Sequence, residues 1–310
     1  MNTFRIKSAV LPVTCAIFAL TSNHLVAENR VQFSTEAGVI HDSQLTIAEL
    51  DGTASNQSDQ ALSLKAKLKG QFDLSESSQV AAGLQWSSKD YQSTSSYDTE
   101  LKQFNLAGKW SLDEIRLGAR YDFADVELAG NPLLDMQMLT LDIGSMLGKQ
   151  AYLRLSSTLK NKDFSELSER NANSLTFGLD GFYFINLNHH LALSLSQETE
   201  TASNQTFDFS QNKIRSSYTY KFASFGETAQ LQLHYQWLDK NYDHYPINNE
   251  QGQNIAVRSD SNQAIGLEWQ QPIAGYLTII SNIEYKDNQS NLASADYSET
   301  LAQASVRISF

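Results

Sequence analysis

The sequence has 310 residues, of which 41% are hydrophobic and 19% charged, and this length suits one large domain or two small ones. The composition excludes a disordered tail and a collagen-like chain. A formal net charge of −12 argues against nucleic acid as a partner, because neutralising phosphates requires clustered Lys and Arg.

The first 27 residues have the three parts of a secretory signal peptide. Arg5 and Lys7 supply the positive start, and Ala9–Leu20 is an apolar run of twelve residues broken only by Thr14. Such a run is too short to cross a bilayer core of ~30 Å as a helix. A cleavage site follows at Leu25–Ala27, so we predict a signal peptide over residues 1–27 and one folded domain over residues 28–310.

The hydropathy of residues 28–310 alone predicts an exported soluble protein. These residues contain no cysteine, because the single Cys15 lies in the signal, and disulfide and thiol chemistry are therefore excluded. Without Arg5 and Lys7 the chain keeps 21 of its 23 Lys and Arg against 35 Asp and Glu, a net charge of −14. It has no run of 18 consecutive apolar residues, so no transmembrane helix is expected.

The periodicity of the sequence predicts something different. Strict alternation of apolar and polar residues marks a strand with two unlike faces. Twelve clean runs occur, and weaker ones at 31–42 and 133–146 bring the expected strand count to fourteen, with twelve or sixteen as alternatives. The clean runs lie at 62–72, 80–86, 104–110, 115–123, 153–159, 175–183, 191–195, 216–222, 231–237, 265–269, 277–285 and 302–310.

The connections between these runs alternate in length. Six short connections are expected at 73–78, 111–114, 147–150, 186–189, 223–226 and 271–275. Seven long ones are expected at 43–58, 88–99, 125–132, 162–172, 198–206, 240–260 and 286–296. With both chain ends on the short-turn side, this layout predicts an all-β fold, a closed antiparallel transmembrane β-barrel with long extracellular loops and short periplasmic turns.

Aromatic residues near the strand ends favour a membrane barrel over a soluble sandwich or solenoid. Amphipathic rings concentrate at both interfaces of a membrane and flank its apolar band. The expected girdle near the long loops consists of Trp86, Phe123, Trp237 and Tyr285. The expected girdle near the short turns consists of Phe72, Trp110, Tyr183, Tyr220, Trp269 and Phe310.

Two segments resemble known proteins. Ser305–Phe310 alternates and closes on an aromatic residue, and so resembles the C-terminal signal of Gram-negative outer-membrane proteins. This implies that Phe310 is an assembly signal read by the barrel-assembly machinery. Gly38–Ser43 resembles the barrel domain of surface lipoprotein assembly modifiers, which implies a lipoprotein client. Members of that family usually carry a helical repeat domain before the barrel, whereas here the barrel is expected directly after the signal, and Gln44 replaces an expected asparagine.

The alternation also predicts which charged side chains face the barrel interior. Twelve bases and seven acids are expected there, a basic wall in an acidic protein. The candidate solute pathway consists of Lys65, Lys67, Lys69, Lys109, Arg116, Arg120, Arg154, Arg215, Glu268 and Glu284. The other inward charges are Lys160, Lys221, Lys286, Arg307, Glu36, Asp122, Asp142, Asp180 and Glu198. The excess acid is expected in loops and turns, at Asp51, Asp98, Glu166, Glu169, Asp239 and Asp243.

The basic interior has two interpretations. An aqueous channel would concentrate small anions at its charged wall. Alternatively, acids and bases on neighbouring strands pair in ladders that only stiffen the barrel. The connection 240–260 is a candidate plug or gate, and equally a surface loop. Outer-membrane lipid and lipopolysaccharide are expected partners, and the acidic loops either hold divalent cations that bridge its phosphates or are simply solvated.

An enzyme is not expected, and neither a cofactor nor a metal is predicted. His41 and Ser43 resemble the His-x-Ser arrangement of outer-membrane phospholipases, but the sequence identifies no group to orient the histidine. His189–His190 is expected in a short turn with its rings on opposite sides, and His234 as a hydrogen-bonding lumen residue. The leading prediction is a passive channel for small hydrophilic solutes that prefers anions. The alternative is a non-conducting assembly or export factor for surface lipoproteins.

Overall fold

The computed structural model describes residues 30–47, 50, 54–55, 57–249 and 251–310, so the predicted signal peptide lies outside the described residues. Fourteen strands form the barrel, and β2 (Leu45–Thr46) and β3 (Ala54–Ser55) form a separate small sheet. The barrel strands are β1 (Arg30–Asp42), β4 (Asp59–Ser75), β5 (Ser78–Tyr91), β6 (Thr99–Leu112), β7 (Ile115–Leu128), β8 (Asn131–Leu147), β9 (Ala151–Phe164), β10 (Ala172–Phe184), β11 (His189–Ala202), β12 (Phe209–Ser224), β13 (Glu227–Asn248), β14 (Asn254–Ala274), β15 (Leu277–Ser290) and β16 (Tyr297–Ser309).

The sheet closes because β1 pairs antiparallel with both β4 and β16. Glu36 shows the closure at one residue, since it lies opposite Lys65 on one side and Arg307 on the other. Closure leaves no unpaired strand edge, which a lipid environment could not hydrate. The predicted closed antiparallel barrel and its strand count of fourteen are confirmed. Within the described residues, no helix is long and apolar enough to cross a bilayer.

The two faces of the wall differ as the alternation requires. Residues opposite each other in an antiparallel pair point to the same side, and successive residues point to opposite sides. Large apolar side chains are exposed around the outer face, for example Val39 at 61%, Leu84 at 54% and Phe177 at 58%. The other face carries the paired charges and lines the interior. The outer face therefore presents an apolar band to lipid.

Short turns connect the strands at one end of the barrel. Several need left-handed backbone: Asp113 has φ 53°, Gly148 φ 67° and Gly226 φ 78°. Both described chain ends lie at this end, where the Phe310 N–H donates to the Phe33 carbonyl at 2.8 Å. The predicted placement of all six short turns is confirmed.

The prediction of a long connection at 125–132 is wrong. β7 and β8 meet in a two-residue turn, Ala129–Gly130, with φ values of 52° and 76°. Two successive positive φ angles match the right-handed twist of a hairpin. Asp125 and Glu127, which fall within the expected connection, lie in β7 on the outward face.

The connection expected at 240–260, a candidate plug or gate and equally a surface loop, is instead mostly strand. β13 and β14 continue as a paired ribbon to Asn248 and Asn254, leaving only a short turn. The buried Arg258 holds this ribbon together, with Nη2 2.7 Å from Asp260 Oδ2 and its guanidinium 4.8 Å from the ring centre of Tyr242. Burial behind an ion pair and an aromatic ring explains why a polar, aromatic-rich segment forms strand here.

Much of the excess acid lies in strands, which corrects its expected place in loops and turns. Asp239 and Asp243 belong to β13, and an outward acidic row follows four neighbouring strands just beyond the apolar band. Lys102 joins this row through Glu127 at 2.6 Å. Asp51 lies outside the described residues. The acids of the row are Glu100, Asp125, Glu127, Asp135 and Asp163.

Three extracellular connections share one local design. Each contains a single 3-10 turn followed by Asp or Asn, whose side chain accepts a hydrogen bond from the last residue of the preceding strand. The bonds are Tyr91 N–H to Asp98 at 2.7 Å, Phe164 N–H to Asn171 at 2.7 Å and Ala202 N–H to Asp208 at 2.6 Å. Such side-chain acceptors satisfy backbone donors that leave the ladder. The loops are consequently compact.

Candidate functional site

The inner wall of the barrel is the candidate site. The strand register places all ten candidate pathway residues on the inner face, and their role in solute passage stays a prediction. Eight of them are basic and two acidic. They are Lys65, Lys67 and Lys69 of β4, Lys109 of β6, Arg116 and Arg120 of β7, Arg154 of β9, Arg215 of β12, Glu268 of β14 and Glu284 of β15.

The charges on β9, β10 and β11 are paired. Arg154 Nη2 lies 2.8 Å from Asp180 Oδ2, and Lys160 Nζ lies 2.5 Å from Glu198 Oε1. One row nearer the extracellular end, Lys162 Nζ lies 2.9 Å from a Glu200 oxygen. In this sector of the wall, the ladder interpretation is the correct one.

A second set of pairs lies across the strands near the chain termini. Arg307 Nη2 of β16 lies 2.9 Å from Glu36 Oε2 of β1. His234 Nε2 of β13 lies 2.9 Å from Glu284 Oε2 of β15, and thus reaches across β14. This bond meets the expectation that His234 is a hydrogen-bonding lumen residue.

The lysines of β4 differ from both of these sectors. None of Lys65, Lys67 and Lys69 makes an ion pair with a described residue. Their cross-strand neighbours on β5 are Ser87, Gln85 and Gly83, which carry no charge. The inward bases of β4 therefore have no acidic partner among the described residues, and three ammonium groups there remain available to a solute.

The other candidates have neutral or local partners. Arg215 donates to Gln236 Oε1 at 2.9 Å, and Arg116 lies 5.9 Å from the ring centre of Tyr152. Arg120 binds Asp122 of its own strand at 2.5 Å, and Glu268 accepts from Gln270 at 2.5 Å. Lys109, like the β4 lysines, makes no ion pair with a described residue. These groups keep the wall polar around most of its circumference.

The sequence analysis missed several inner-face charges. Lys162 and Glu200 fell within expected connections, although they lie in β9 and β11. Lys213 of β12 and Glu299 of β16 were passed over because their neighbours interrupt the apolar alternation. The available signal was the period of two itself, which continues through these residues even where the outward positions become polar.

The connection after β1 reaches the inner wall at its extracellular end. Leu45 is fully buried and packs against Ile40, Ala61 and Tyr91, which point inward. Thr46 Oγ1 lies 3.4 Å from Glu299 Oε2, another inward group. This connection, rather than 240–260, brings a loop into the mouth of the barrel.

The structure separates His41 from Ser43 and places His189 and His190 in a strand. Ser43 Oγ accepts a hydrogen bond from the Thr300 N–H at 2.7 Å, while His41 points outward. His189 and His190 begin β11 rather than lying in the turn, and His189 Nδ1 contacts the outward Tyr218 hydroxyl at 2.6 Å. No group of three or more His, Cys, Asp or Glu among the described residues is arranged to hold a metal ion.

A closed fourteen-stranded wall with an apolar outer band and a charged inner face is the architecture of an outer-membrane β-barrel. The protein has this fold, and its surface suits that membrane. The C-terminal Phe310, exposed on the outward face at the seam between β1 and β16, occupies the end of the last strand. Its role as an assembly signal stays a prediction.

No protein-family model and no curated protein matches the sequence. Solved structures share the fold, among them an anion-selective porin from Comamonas acidovorans with a TM-score of 0.56 and 9% identity, over 92% of this chain and 100% of that one. OmpT of Vibrio cholerae has a TM-score of 0.53 and 9% identity, over 93% and 99% of the two chains. CdiB from Acinetobacter baumannii has a TM-score of 0.50 and 10% identity, over 90% of this chain and 60% of that one.

Proposed function

We propose that the protein is a passive channel for small hydrophilic solutes in the outer membrane, with a preference for anions. The observation that carries this proposal is the row of three lysines on β4 without ion pairs, in a wall where Arg154, Lys160 and Arg307 are each paired with an acid. Charged walls in a low-dielectric surround concentrate ions of opposite sign. A basic patch on the inner face would therefore favour anions, although the protein as a whole is acidic.

Wide barrels of this kind support diffusion because their interior is lined by polar groups that replace the hydration of a solute. Here, neutral and charged side chains alternate around the inner face, for example Gln236 beside Arg215 and Gln270 beside Glu268. The fold is one that a porin described as anion-selective also uses. The proposed solutes are small and polar, and no catalytic role or cofactor is proposed.

The test is a planar bilayer measurement on the purified protein. We expect discrete conductance steps, and under a KCl gradient a reversal potential displaced toward the chloride equilibrium potential. Lys67→Glu should move the reversal potential toward zero, because it replaces an inner-face cation with an anion. Lys149→Glu is the matched control, since the same charge change falls in an exposed periplasmic turn.

Two results would contradict the proposal in different ways. Absence of current at every pH and voltage would rule out the channel, provided that the barrel migrates as folded in an unheated gel. A reversal potential displaced toward the potassium equilibrium potential would rule out the anion preference, although it would not contradict the proposal of a channel.

Export of a surface lipoprotein remains the alternative, but Gly38, central to the segment that suggested it, is explained by its close packing against β16. Retention of a lipoprotein in a deletion strain would favour that alternative.

A further inference from the structure

A polar cavity of about 240 Å³ opens on the inner wall where β1, β4, β5 and β16 adjoin. Lys65, Lys67 and Lys69 line one side of the cavity, with Ser34 and Gln85 on the flanking strands. Alternate residues of a strand are about 6.6 Å apart, so the three lysines present a row of cations along β4. The cavity is therefore a defined concave site and not merely a stretch of basic wall.

The charge of this cavity is uncompensated. Its single acid, Glu36, has both carboxylate oxygens engaged, Oε2 by Arg307 at 2.9 Å and Oε1 by the Ser305 hydroxyl at 2.8 Å. Arg307 is satisfied by the same contact. The three lysines therefore give the cavity an excess of three positive charges with no acid left to balance them.

The chemistry of these groups selects among anions. An ammonium is a compact point charge with rotatable donors, which suits tetrahedral oxyanions, whereas planar carboxylates are best bound by a free guanidinium fork. Among the described residues that line the cavity, the only guanidinium is that of Arg307, and Glu36 occupies it. A row of ammonium groups also attracts a ligand more strongly when the ligand carries two or more negative charges spread over several ångströms.

We infer that this cavity binds a small phosphate-type anion with at least two negative charges, such as a diphosphate or a compact phosphate ester, and holds it on the route through the barrel. The inference extends the proposed channel by naming the solute class, and in that respect it rests on the proposed function. The bound phosphate-type anion would slow the passage of chloride, because the two anions compete for the same lysine ammonium groups.

The probe is inorganic pyrophosphate, with succinate as the carboxylate comparison. Binding is measured by calorimetry on the folded protein in detergent, and block of the chloride current is measured in planar bilayers. Lys67→Gln/Lys69→Gln should raise both the dissociation constant and the half-blocking concentration about tenfold or more, since two close cations are lost. Lys213→Gln/Lys221→Gln removes the same charge from inner-face lysines outside the cavity and should shift both quantities far less.

The outcomes separate the site from the channel. Pyrophosphate binding without any bilayer current would uphold the site and contradict the channel, whereas current without binding would do the reverse. Equal losses in the two double variants would overturn the site, because overall charge alone would then explain the binding. Succinate binding as tight as that of pyrophosphate would overturn the phosphate-type assignment. Should a double variant fail to fold, Lys67→Gln and Lys213→Gln provide the same comparison.

Discussion

At the scale of single residues, glycines on the inner face mark positions where a neighbouring side chain must cross a strand. Gly266 is the clearest case, because a Cβ there would lie 2.3 Å from the His234 ring. The histidine lies over this glycine to reach Glu284 on the next strand but one. Sequence reasoning could place His234 inside the barrel, but it could not supply the partner, which depends on the register of three strands.

Gly266→Ala should therefore destabilise the barrel by displacing His234 from Glu284. A hydrogen bond between two partly exposed polar side chains is worth about 1 kcal/mol. The midpoint of urea unfolding, followed by tryptophan fluorescence, measures the loss. In a His234→Ala background the same substitution should cost much less, because the ring that the methyl would meet is gone. An equal loss of stability in both backgrounds would mean that the backbone requires a glycine at this position and that the contact with His234 does not.

At the scale of elements, the extracellular connections decide how the barrel mouth is shaped. The segment after β1 buries Leu45 among inward residues, whereas β13 and β14 continue as paired strands, with Arg258 of β14 buried against Tyr242 of β13. The length of 240–260 made it a candidate plug and equally a surface loop, whereas most of it is strand. The burial of one leucine against the wall determines where this loop lies, because burying apolar surface stabilises one position of the loop. The number of residues in a loop does not favour any one position.

Leu45→Ser should release this connection from the inner wall. Losing a fully buried leucine side chain costs about 2–5 kcal/mol, enough to detach a short segment. In single-channel recordings, we expect more frequent transitions between current levels than in the unmodified protein. Leu167→Ser is the control, because Leu167 is only half-buried in another extracellular connection. Identical recordings for both variants and the unmodified protein would show that the loop does not influence the conducting path.

At the scale of the whole molecule, the period of two was sufficient to predict the architecture but not its detail. It predicted fourteen strands, the short-turn end and the inner face of residues such as Lys67 and Arg154, because a one-residue slip would place charge in lipid. It did not predict that Asp125 and Asp163 lie in strands, because the apolar alternation that marked these strands ends before them, at residues 123 and 159. The cross-strand register decides which inner charges are paired. This register is known only once the strands are assembled into the closed sheet.

The seam between β1 and β16 contains a glycine at a close approach of the two strands. Gly38 lies opposite Ser305, and a Cβ at this position would be 2.5 Å from Ser305 Cβ and 2.6 Å from the Ala304 carbonyl oxygen. The second contact is with backbone, so no change of rotamer relieves it. Gly38→Ala should lower stability by about 1–3 kcal/mol, the usual cost of forcing extra volume into a packed site.

Because β1 and β16 are the first and last strands of the barrel, strain at their seam acts against closure rather than against one hairpin. The folded band of Gly38→Ala in unheated gels should convert to the unfolded band at a lower temperature than that of the unmodified protein. Gly181→Ala is the matched control, since its Cβ would meet nothing closer than Leu153 Cδ2 at 3.4 Å. If the two variants lose the folded band at the same temperature, the close approach at the seam is not what limits the stability of the closed barrel.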